Sequence, residues 1–186
     1  MKPQAPHPLP LAGLPLAGLI IGALALALPP LAAGDGPPPI AVQELTQRSA
    51  IIDEVGIQIT LTVEGRDPQL LELPEPGRVA IAEITVQPGA AFPWHSHPGP
   101  VIATLKQGTL VYVYADDCVE RPYAAGELFI DPGFDNIHRA FNPSDEEVAV
   151  VVATFLNAPE GEHGQGLTLP REPEGSCPGL PTASAH

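Results

Sequence analysis

The sequence predicts an all-β fold: one small β-barrel, built as a jelly-roll-like double sheet, with an irregular C-terminal tail. Three observations carry this. Between residues 58 and 156 the chain is written as short alternating or apolar runs, each closed by residues suited to reversing the chain. No stretch beyond the N-terminal leader sustains a helical period, although residues 42–53 have a pattern that would fit one or two helical turns. Three of the six histidines, His95, His97 and His138, fall where a small barrel would bring them together.

The predicted strands are 58–63, 79–86, 91–97, 101–107, 109–114, 127–130, 137–142 and 148–156. Their breaks are Pro88-Gly89, Pro98-Gly99-Pro100, Gln107-Gly108, Ala115-Asp116-Asp117, Asp131-Pro132-Gly133 and Pro143-Ser144-Asp145. The organisation expected is a leader over 1–33, a linker and N-terminal arm over 34–57, the barrel over 58–156 and an irregular tail over 157–186. About 150 residues outside the leader are one domain's worth of chain.

Residues 1–30 carry one basic side chain, Lys2, no acid, and a leucine/alanine run that is most continuous over 16–28. That is the pattern of a signal peptide, with Ala32, Ala33 and Gly34 offering a cleavage site. No cysteine follows the site, which argues against a lipid anchor. The rival is an uncleaved anchor over 9–31, against which Pro10, Pro15, Pro29 and Pro30 count. The expected location is therefore periplasmic or secreted.

All acidic residues lie beyond the leader. Without Lys2, seven basic side chains face twenty-two acidic ones, a net charge of about −15 against −14 for the whole chain. Such a surface repels phosphate backbones and anionic lipid, so neither nucleic acid nor, after cleavage, a membrane is an expected partner. Two cysteines remain, Cys118 in a turn and Cys177 in the tail. An even count in an exported protein favours a disulfide tethering the tail, with two free thiols as the alternative.

His95 and His97 are two apart, so one strand face can present both imidazoles while Ser96 looks away; His138 must arrive from another strand. Gly89 sits six before His95, and Gly108 lies seven beyond position 101. Gly126, Pro132 and Gly133 precede His138, and Asn142 lies four beyond it. In these residues the chain resembles the cupin superfamily. The first motif is matched at Gly89, His95, His97 and Gly108, but its glutamate position holds Val101. The second is matched at Gly126, Pro132, His138 and Asn142, with one extra residue in the turn. The His-x-His-Pro-Gly-Pro-Val run, the Asp-Asp-Cys turn, Asp-Pro-Gly and the late Ser-Cys-Pro are similar to a group of exported bacterial single-cupin proteins.

The resemblance implies a divalent metal held by His95, His97 and His138. Without a carboxylate at 101, the site is a three-imidazole face that keeps the full charge of its ion and favours an anionic or bidentate co-ligand. Imidazoles suit iron, manganese, nickel, copper, zinc and cobalt, so the metal is not selected. Trp94, Tyr112 and Tyr114 read as core or mouth residues, and Asn142 as a backbone brace. Glu83 either faces water or replaces the missing carboxylate. His163 and His186 read as solvated. No phosphate loop, nucleophile elbow or Cys-x-x-Cys pair occurs.

Three readings follow: a binding protein for a metal or small-molecule ligand, a metal-dependent dioxygenase acting on a small anionic or thiol substrate, or a barrel with a decayed site. A homodimer through edge-strand pairing is within what the resemblance implies.

Overall fold

A computed structural model describes residues 36–184. The expected leader over 1–33 and His186 lie outside the described residues. Regular structure among the described residues is all strand: β1 (Ile40–Glu44), β2 (Ser49–Ala50), β3 (Ile57–Leu61), β4 (Gln69–Leu73), β5 (Arg78–Val86), β6 (His95–Ser96), β7 (Val101–Gln107), β8 (Thr109–Tyr114), β9 (Glu120–Ala124), β10 (Leu128–Asp131), β11 (His138–Phe141), β12 (Ala149–Ala158) and β13 (Leu169–Pro170). They form an antiparallel sheet in the order β1-β5-β12-β7-β10, with β2 also on β5, a second sheet in the order β13-β6-β11-β8-β9, and a β3–β4 hairpin. This is the all-β double sheet that the alternating pattern predicts.

Period-two alternation decides what each sheet buries. On β7, Val101, Ala103 and Leu105 are buried while Thr104 and Lys106 are exposed. The inner face of the larger sheet carries a row of small residues: Ala153 on β12 is the register partner of both Ala82 on β5 and Ala103 on β7. Larger side chains flank this row, with Phe155 paired to Val101 on one side and Val151 paired to Leu105 on the other. A row of methyl groups between bulkier rows leaves space inside the barrel.

The helical turns expected over 42–53 are absent; β1 and β2 stand there instead, paired to β5. Tertiary pairing has overridden a weak local pattern. The strand expected over 91–97 is reduced to β6, with one isolated bridge from Ala91 to Phe141. Pro93 explains this, because it has no N–H to continue the ladder. Strand β9 contains Pro122 and lies at a sheet edge, where a missing donor is tolerated.

The tail is mostly irregular but it is not loose. Cys118 and Cys177 form a disulfide closing a separation of 59 residues, a crosslink worth about 2–4 kcal/mol. Strand β13 pairs with β6, Ser184 exchanges hydrogen bonds with Ala91, and the Arg139 guanidinium donates to the Pro181 carbonyl. Glu44 accepts from Arg48 at 2.9 Å and from the Gly164 amide at 2.6 Å, while Arg48 also donates to the Pro159 carbonyl at 2.8 Å. This buried ion pair fixes the tail against β1 more than it adds net stability, since desolvation offsets much of its attraction.

Candidate metal centre

His95 and His138 are cross-strand partners on β6 and β11, and His97 follows β6 directly. All three are buried, at 4, 7 and 3% exposure for His95, His97 and His138. One ring nitrogen from each can be chosen so that all three lie within 4.8 Å of one another. The ring centroids are 4.2 Å apart for His95 and His138, 4.9 Å for His95 and His97, and 5.1 Å for His97 and His138.

The other nitrogen of each ring faces an acceptor. His95 Nδ1 lies 2.8 Å from the Pro93 carbonyl, His97 Nδ1 2.6 Å from the Leu167 carbonyl, and His138 Nδ1 2.9 Å from a carboxylate oxygen of Asp131. Only an Nδ1–H satisfies such neighbours, so each neutral ring carries its proton there and leaves a lone pair on Nε2. The acceptors come from three different parts of the chain, and Leu167 belongs to the tail.

Burial also keeps the His95 and His97 rings neutral. Desolvation of a charged imidazolium pushes His95 well below the ordinary value of 6.5, helped by the charges of His138 and His97. It pushes His97 down to about 4, with Asp131 opposing in part. The neutral ring is the form that binds a metal.

Residues 82–154 match the family model of the cupin domain. These residues form a cupin domain. Among solved structures similar to this chain are KdgF from a Halomonas species, an oxalate oxidase, and a cupin-2 domain protein from Shewanella frigidimarina. KdgF is 15% identical with a TM-score of 0.43, over 67% of this chain and 85% of that one. The oxalate oxidase is 23% identical with a TM-score of 0.43, over 68% of this chain and 55% of that one. The Shewanella protein is 19% identical with a TM-score of 0.35, over 41% of this chain and 68% of that one. No curated protein sequence matches the chain.

The departure of the cupin domain from the motif at position 101 has a counterpart that the sequence reading missed. Val101 is buried and lines the same cavity as the histidines, and its register partner is Asp131, at the end of β10. Asp131 is 2% exposed and engaged at both oxygens: it accepts from the Tyr112 hydroxyl, from the Gly133 amide and, at 3.4 Å, from the Asn136 side-chain amide, with His138 Nδ1 at 2.9 Å. Burial alone would raise its pKa; attraction to His138 and its hydrogen bonds from His138 and Tyr112 outweigh that and hold the carboxyl below the usual range. Burial pushes the Tyr112 phenol up, so it stays protonated and donates. The carboxylate of this site therefore stands behind a histidine, in the place where such groups orient and polarise metal ligands.

The turn carrying Asp131 is held against the His97 loop. The Phe134 amide donates to the His97 carbonyl at 2.7 Å, and Gly133 has φ of 68° and lies so close to the Gly99 carbonyl that an added Cβ would collide with it. No side chain fits there.

The remaining candidates take bland places. Asn142 donates to the Val86 and Glu147 carbonyls and accepts from the Ser144 amide, a backbone brace as expected. Glu83 faces outward to Lys106 at 2.7 Å. Trp94 packs against the cluster around Ala91 and Phe141, with the Arg139 guanidinium 5.5 Å from its ring centroid. Tyr114 lies under the guanidinium of Arg66, at 4.0 Å. His163 is exposed.

Proposed function

We propose that this cupin binds one divalent metal ion through Nε2 of His95, His97 and His138 and holds a small molecule beside it. The observation that carries this reading is the common orientation of the three rings: each Nδ1 is engaged by its own acceptor, so three lone pairs remain to converge. A decayed site would have no reason to keep all three. The residues fit a borderline divalent ion such as iron, manganese, nickel, copper, zinc or cobalt, and such an ion would supply positive charge and Lewis acidity at this point.

Within the cavity, the chain's own groups favour binding over turnover. Asp131 and Tyr112 are bonded to each other, which leaves no lining carboxylate or phenol free as a general acid or base. A metal-dependent dioxygenase is the alternative and would draw its chemistry from the ion.

Metal analysis of untagged protein should find about one ion per chain, the stoichiometry of a single closed ligand set. His95→Ala, His97→Ala and His138→Ala should each lose most of it while the barrel stays folded, because a strand scaffold does not depend on one ligand as a zinc finger does. His163→Ala should keep it. Equal metal content in all four variants would end the three-histidine reading.

Export belongs to the same proposal. The Cys118–Cys177 disulfide fits an oxidising compartment. The intact mass of protein recovered outside the cytoplasm should correspond to a chain starting near Gly34, two hydrogens lighter than the reduced form. A full-length, membrane-retained product would overturn it.

A further inference from the structure

We infer that the cavity beside the three histidines takes a short monoanion with an apolar body, its charged head at the histidine end. The inference rests on the metal reading above and adds the ligand's class.

The cavity has a volume of about 100 Å³. A dry cavity of about 150 Å³ holds benzene, so this one suits an apolar body of about four non-hydrogen atoms. Its space follows from the alanine row on the larger sheet, where Ala103 and Ala153 line the wall and Phe155 and Val151 bound it. Apart from the histidines, Tyr112 and Asp131, the rest of the wall is also apolar, with Thr168 at the exposed mouth. A sugar or polyol would bury hydroxyls there against methyl and phenyl groups, which is unfavourable without partners.

Charge narrows the class further. An ion held by the three histidines would set positive charge at one end of the cavity, where the polar atoms of Tyr112 and Asp131 are already bonded to each other. In a low-dielectric cavity that charge favours a ligand with an anionic head on the ion. A dianion would bury its second carboxylate among apolar side chains, since among the described residues no lysine or arginine lines the cavity to receive it. A neutral head would leave the charge of the ion unanswered.

The test is calorimetric titration of the zinc-loaded protein with butyrate, butyramide, succinate and octanoate, with metal content measured in the same samples. Butyrate should bind at least about tenfold more tightly than its neutral isostere, its dicarboxylate counterpart or the longer chain, the ratio expected for one unpaired buried polar group or a forced overfill. Ala153→Leu should abolish butyrate binding and retain zinc; Ala103→Val serves the same purpose should the leucine variant fail to fold. Succinate or butyramide binding as tightly as butyrate, with zinc present, would overturn the ligand class and leave the metal reading standing. Failure to take up zinc or any other divalent ion would overturn both. Butyrate binding undiminished in a folded cavity-filling variant would place the ligand elsewhere and overturn the inference.

Discussion

Between pH 6.5 and pH 4 the metal-free protein should lose on the order of 3 kcal/mol of stability through His97 alone, and more once His95 is included. Both folded-state values lie below the ordinary 6.5, because burial disfavours the imidazolium. In this window the unfolded chain therefore binds more protons than the folded one, and stability rises with pH. The contribution is complete above 6.5 and is lost as the pH falls toward the folded value of about 4 for His97. Asp131 does not cancel it. Its folded value lies below the ordinary 3.8, so its contribution is retained throughout this window and is lost only under stronger acid. Metal should steepen the dependence, because protons and the ion compete for the same Nε2 lone pairs. Urea unfolding at pH 7, 5.5 and 4.5, with and without zinc, measures both effects. A flat profile for the metal-free protein would mean that these histidines are not held neutral by burial.

The three clustered histidines were legible because the motif needs only local facts: two residues on one strand face, and a third on a strand punctuated by Gly126 and Pro132. Strands β7 and β8 were legible to the residue, since their alternating runs meet at Gly108, which has φ of 70° and closes the hairpin. What was not legible depends on partners distant in sequence. Strand β1 buries only Ile40, so its local pattern is silent until β5 pairs with it. Strand β4 was hidden between Pro68 and Pro74, although Leu71 and Leu73 alternate inward. The Leu167 carbonyl that orients His97 is a backbone group and leaves no trace in residue type. Asp131 did leave one. It ends an apolar run, two residues beyond Phe129 and therefore on the same face, and both residues line the cavity. A charge at a core parity position signals either a partner or a function.

Val101→Glu should turn the departure from the family pattern into a metal-dependent fold. Position 101 is 4% exposed, lines the cavity, and stands opposite Asp131 in register, a separation of about 5 Å between Cβ atoms in such pairs. Without metal, a glutamate there places a second carboxylate beside an ionised one among apolar side chains. The metal-free variant should lose about 3–5 kcal/mol, the usual penalty for an uncompensated buried charge, or relieve part of it by keeping the new carboxyl protonated. With a divalent ion the same group becomes an anionic oxygen donor and lowers the net charge of the site by one. Zinc should then stabilise the variant more than it stabilises the parent, because a ligand that binds only the folded state adds stability in proportion to the logarithm of its affinity. Unfolding with and without zinc, together with chelator competition for affinity, reads the two halves separately. Butyrate, whose charge the glutamate would have replaced, should no longer bind. Unchanged zinc affinity in a folded variant would mean that a carboxylate at position 101 does not reach the ion, and that Asp131 alone sets the negative charge of this site.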